Sequence, residues 1–253
     1  MRILFTLWVL HMVGLGYAQD LQLYLLAGQS NAVGQGDSAL SPACSAGTAW
    51  EYIATRDALV VLRDPFGQDE LHFQRAHTGS LAPALAEALY RRTGKPVVLV
   101  AAARGGSACH TLAELNDYGT WDVQGRLLLM PFAIQKVQAA ERKTGKRLQG
   151  VVWVQGERDA NAITMESLLP GSTGRHCNVS LRGFARHLGR SFPFILYRPG
   201  IIPVIRTRAL MPCGKSKRPW RPRIAIHRSC TAAPHLLPTR DGCTTPFTII
   251  KQV

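Results

Sequence analysis

The sequence predicts an α/β domain whose core is a parallel β-sheet covered by helices on both faces. Three observations lead there. Short apolar runs each end in a polar, glycine-containing turn, and helically spaced segments alternate with them. A chain of 253 residues, 46% of them hydrophobic, is also long enough to bury one sizeable core. The same figures exclude a disordered chain, a collagen and a small disulfide scaffold.

Leu21 to Ala27 (LQLYLLA) is an apolar run ending at Gly28, as expected of a strand buried on both faces. Gly28 to Gly36 then turns the chain. Leu81 to Arg92 has helical spacing and is stopped by Thr93-Gly94-Lys95-Pro96. Pro96 to Ala103 (PVVLVAAA) is a second buried strand, ending in Arg104-Gly105-Gly106-Ser107. Arg126 to Lys143 reads as a helix closed by Thr144-Gly145-Lys146. Gln149 to Val154 is a third strand, followed by Gln155-Gly156-Glu157-Arg158-Asp159, and Phe192 to Tyr197 reads as a fourth. Ligands of such sheets sit at the carboxyl ends of the strands, so the three glycine-containing turns are expected to converge on one site.

Ahead of the first strand, Met1-Arg2 and the 15 residues from Ile3 to Tyr17 read as a secretory signal, with a cleavage point after Ala18. That run is shorter than the roughly 20 apolar residues a membrane span needs. We therefore expect an exported chain with no stable membrane span: residues 1–18 as signal peptide and 19–253 as a single domain. Export permits disulfides, and Cys44 and Cys109 could pair or remain buried thiols.

The net charge of +14 is uneven: Ser191 to Val253 carries +10, and the first 190 residues only +4. The tail also holds 9 of the 15 prolines and 3 of the 6 cysteines. Its basic run Lys215 to Arg223 invites comparison with nucleic-acid binders, but charge confined to one atypical segment gives no reason to expect a nucleic-acid partner. Cys213, Cys230 and Cys243 lack paired metal-ligand spacing, so no metal is expected.

Ser30, in Gly28-Gln29-Ser30-Asn31, stands where a strand gives way to a turn. That is the place of an exposed nucleophile with backbone N–H groups beside it, or of a helix N-cap. Gly105-Gly106 permits close backbone approach, serving either as an oxyanion donor or as a tight turn. Gln155 can donate an amide N–H to the same oxygen, while Glu157 and Asp159 can orient neighbours or belong to a solvated turn.

Together, Leu26-Ala27-Gly28-Gln29-Ser30-Asn31 through Gly34, Ala103-Arg104-Gly105-Gly106-Ser107 and Trp153 through Asp159 resemble the SGNH-type carbohydrate O-acetylesterases. This group includes sialate O-acetylesterase and acetyl xylan esterases. The resemblance spans Leu21 to Ile163. It implies a flavodoxin-like three-layer α/β/α fold, no cofactor, and hydrolysis of acetyl esters on carbohydrates through an acyl-serine. By position, Ser30 would be the nucleophile. The Ser30 and Gly106 N–H groups and the Gln155 side chain would form the oxyanion hole, supported by Gly105, Asn31 and Glu157. Gly36-Asp37-Ser38-Ala39-Leu40 imitates the signature of related lipases, but no apolar strand enters it, so Ser30 is preferred over Ser38.

The family supplies its acid and base as Asp-x-x-His. Here Asp241 stands at the acid position, and Thr244 stands where the histidine belongs. Starting one base early, the Gly242 wobble base with TG of Cys243 permits valine, and the next codon reads histidine or tyrosine. Similar shifts over Thr173 to Val179 and Pro199 to Arg223 give residues with a helical composition that the printed ones lack. The expectation is that about 172–253 is partly out of frame, which leaves the last layer incomplete and the literal chain without its base. The alternative function is a non-catalytic carbohydrate-binding protein on a degenerate esterase scaffold.

Overall fold

The computed structural model describes residues 20–169, 172–189 and 193–197. In chain order these form β1 (Gln22–Gly28), α1 (Ser30–Val33), β2 (Ala49–Ile53), β3 (Ala58–Val61), α2 (Ala82–Thr93), β4 (Val97–Ala103), α3 (Leu129–Thr144), β5 (Leu148–Val154), α4 (Glu157–Thr164), α5 (Ser172–His187) and β6 (Phe194–Tyr197). The expected signal segment, Asp241 and Thr244 lie outside the described residues, as do Cys213, Cys230 and Cys243.

The strands form one sheet in the order β3-β2-β4-β1-β5-β6, parallel except for the antiparallel β2–β3 edge pair. β1 is central, its last residue Gly28 registered against Ala103 of β4 and Val154 of β5. Successive β1 side chains enter opposite layers. Leu23 and Leu25 join the α3 and α5 side, and Leu26 joins the α2 side. Both layers exclude water from β1 and β4, which explains their unbroken apolar sequence. The α/β three-layer fold read from the sequence is therefore the fold observed.

The four expected strands are present, and the two expected helices stop at Gly94 and Gly145, each in the left-handed conformation. The β2–β3 hairpin went unread, because β2 carries Glu51 and Trp50 in a five-residue element with no long apolar run. The expected start of α3 at Arg126 moves to Leu129. Arg126 and Leu127 instead donate backbone N–H to the Glu114 carboxylate, and Leu129 donates to Thr120 O.

Two further expectations are corrected. Printed residues 172–187 do form a helix, α5, despite their weak propensity, because Leu181 and Phe184, with Leu188 just beyond its end, are buried in the core on that side of the sheet. Cys109 bonds to Cys177 of α5, with Cα atoms 5.4 Å apart, and Cys44 remains a free thiol. The sheet itself prevents the Cys44–Cys109 pair: Cys109 lies in the α3/α5 layer and Cys44 packs on the α2 layer.

Candidate active site

The three turns do gather around the carboxyl end of β1. Gln29 N donates to Val154 O at 3.0 Å on one side, and Arg104 N donates to Gly28 O at 3.1 Å on the other. Gly28 has φ +138°, and a Cβ there would stand 1.9 Å from Val154 O, so only glycine lets the chain leave β1 this close to β5.

Ser30 opens the short helix α1 as its first residue, and Gln29 occupies the cap position without a side-chain cap. The N-cap alternative for Ser30 therefore does not describe its place. The two neighbours of Ser30 reach sideways into the third turn. Gln29 Oε1 accepts from Gln155 Nε2 at 3.0 Å and from Arg158 N at 3.1 Å, while Asn31 Nδ2 donates to Glu157 Oε1. Ser30 is thus bracketed by two amide side chains tied to α4 and the turn before it. Among the described residues, its own hydroxyl and backbone N–H have no partner, and neither does the Gly106 N–H. One free hydroxyl and two free N–H donors at the end of a central strand suit attack on a carbonyl and stabilisation of the resulting oxyanion.

The turn after β4 is built to expose that N–H. Gly105 N donates to Gln74 Oε1 at 2.7 Å and Ser107 N to Arg104 O at 3.3 Å, which leaves Gly106 between them at φ +74°. The Trp121 indole N–H donates to Ser107 Oγ, which donates to Gly28 O, locking this turn to the end of β1.

Gln155 is placed here but is already occupied. Its Nε2 donates to Ser107 O at 2.8 Å and to Gln29 Oε1 at 3.0 Å, so serving an oxyanion requires releasing one of them. Among the described residues its buried Oε1 has no partner, nor does Glu157 Oε2. Asp159, fully buried, is the brace behind Gln155. It accepts from Cys109 N and His110 N, each at 2.9 Å, and lies 3.5 Å from Gln155 Nε2. Burial raises its carboxyl above the ordinary range, opposed by these N–H donors. Gln29, Gln74 and Trp121 were not singled out in the sequence. Only the place of Gln29 between Gly28 and Ser30 could have signalled a role.

Ser38 begins a surface 3₁₀ turn, Ser38–Leu40, that Asp37 caps by accepting from Ala39 N at 2.9 Å. The lipase-like stretch is thus a capped exposed turn apart from the converging segments. Among the described residues no group of three or more His, Cys, Asp or Glu could hold a metal ion.

A family model described as carbohydrate esterase, sialic acid-specific acetylesterase, matches residues 20–167. A solved Arabidopsis thaliana structure superposes with a TM-score of 0.54 over 68% of this chain and 72% of its own, at 19% identity, and so shares the fold. Comparison with curated proteins finds no match.

Proposed function

The chain belongs to the carbohydrate esterase, sialic acid-specific acetylesterase family, and from that membership we propose that its site removes O-acetyl groups from carbohydrates with Ser30 as nucleophile. The observation that carries this reading is that, at the converging strand ends, the Ser30 hydroxyl and the N–H groups of Ser30 and Gly106 have no partner among the described residues. Ser30 Oγ attacks the acetyl carbonyl carbon, and the carbonyl oxygen takes the negative charge between those two N–H groups. The bond to the sugar oxygen breaks, the sugar leaves with a proton, and water then releases acetate from acetyl-Ser30. Gln155 adds a donor once it lets go of Gln29, while Asn31–Glu157 and Gly105–Gln74 hold the two turns in place. No cofactor enters these steps. We further propose that the chain is exported.

The hydroxyl proton needs an imidazole oriented by an acid. Asp241 would be that acid, but Thr244 fills the histidine's place, so we expect the printed chain to work slowly. Oxyanion and binding effects alone give roughly 10³ to 10⁴ over water. The same substitution favours the second reading, a non-catalytic binder of acetylated carbohydrate. Hydrolysis of an acetylated aryl ester by Ser30→Ala and Ser38→Ala variants tests the first reading. Loss with Ser30→Ala and retention with Ser38→Ala is expected, and the reverse pattern would overturn it. Tight glycan binding without acetate release would establish the second.

A further inference from the structure

We propose that Tyr118 is the platform on which the sugar carrying the acetyl group rests, an inference that deepens the esterase reading and depends on it. A Cβ built on Gly106 would stand 2.9 Å from Tyr118 Cγ, with both Cδ atoms within 3.2 Å. The phenol ring therefore lies against Gly106, whose N–H has no partner among the described residues and whose turn is tied to Gly28, two residues before Ser30. Even so, 40% of its surface stays exposed.

The loop that carries the ring is tethered on both sides of it. Arg104 Nη2 donates to Asp117 O and Nη1 to His72 O, each at 2.9 Å, pinning the loop next to Tyr118 from the end of β4. On the other side Ala108 N donates to Gly119 O at 3.0 Å. A half-exposed aromatic side chain on a tethered loop loses less conformational entropy when a ligand covers it than one on a loose loop. Its face suits the C–H surface of a pyranose, since aromatic rings supply much of the contact area in sites with few polar anchors. An acetyl carbonyl oxygen accepting from the Gly106 N–H brings its ester-linked sugar against this neighbouring ring.

Binding can be read without turnover in the full chain carrying Ser30→Ala, by titration with the methyl glycoside of an O-acetylated sialic acid followed by NMR. Adding Tyr118→Phe should change the dissociation constant by no more than about twofold, whereas Tyr118→Ala should weaken binding about tenfold or more. Tyr118→Leu keeps an apolar cover on Gly106 without an aromatic face, so it should behave like Tyr118→Ala and separates platform from packing. Unchanged affinity in Tyr118→Leu, or no saturable binding in the Ser30→Ala parent, would overturn the proposal. Failure of the esterase reading looks different: hydrolysis would then survive Ser30→Ala while the Tyr118 variants still lose affinity.

Discussion

Among the described residues, buried polar side chains are matched to hydrogen bonds with few exceptions, and the exceptions carry consequences. Gln29 and Asn31 spend their side chains on the third turn, leaving Ser30 as the unoccupied hydroxyl between them. Away from the site, Glu51 of β2 is buried with Oε1 unpartnered. Burial pushes its carboxyl up from 4.5 to about 7, against the Lys136 ammonium, the Gly67 N–H and Arg75, with the Glu70 carboxylate adding to the rise. Between those two pH values the folded chain keeps a proton that the unfolded chain gives up, so stability falls as pH rises through the window. Glu51→Gln should flatten that fall, gaining up to about 3 kcal/mol above pH 7 and little at or below 4.5. Denaturant titrations on both sides of the window measure this, and parallel pH profiles for the two proteins would refute it.

At the scale of elements, the end of each strand depends on what covers it. β2 pairs with β4 only as far as Tyr52 and Val100, so the Ala101 carbonyl lies beyond the ladder. Lys136 of α3 takes it with its buried ammonium at 2.7 Å, and Glu70 accepts from the same ammonium at 2.6 Å. A lysine inside the apolar layer is thereby paired on two sides. The Cys109–Cys177 bridge does comparable work for α5, closing 68 residues and fixing the helix to the loop whose N–H groups Asp159 holds. In the chain-entropy account a loop of that length is worth about 4 kcal/mol. Cys177→Ser should lower stability by about that amount, and reductant should lower the parent equally. Identical denaturation midpoints for oxidised and reduced parent would contradict the bridge.

For the molecule as a whole, the family match ends at residue 167, and the basic tail lies beyond it. No helix among the described residues is long and apolar enough to cross a membrane. The esterase reading requires an imidazole three residues after Asp241, and the double substitution Cys243→Val with Thr244→His writes Asp-x-x-His into the printed sequence. Acetate release should rise by about 10² or more, the usual contribution of a positioned general base. A folded double variant no faster than the parent would dissociate Asp241 from the mechanism. The coding DNA provides a separate check: CAC must be readable from the last base of Cys243 and the first two of Thr244 if the tail has slipped out of frame.

The linear sequence by itself determined the buried strands and the three turns, because strands covered on both faces must be written as apolar runs and tight exits must be written with glycine. Leu21 to Ala27 and Pro96 to Ala103 announce β1 and β4, and Ser30, Gly106 and Gln155 announce themselves by following such runs. The β2–β3 hairpin was not legible, since a short edge pair containing Glu51 has neither a continuous nor a cleanly alternating apolar pattern. Only the tertiary structure decided that Gln155 spends its amide on Gln29 and Ser107, that Cys109 meets Cys177 and not Cys44, and that α5 forms at all. Each depends on which groups the sheet brings together from distant parts of the chain. Distances between such groups follow from the packing of layers, which local spacing does not encode.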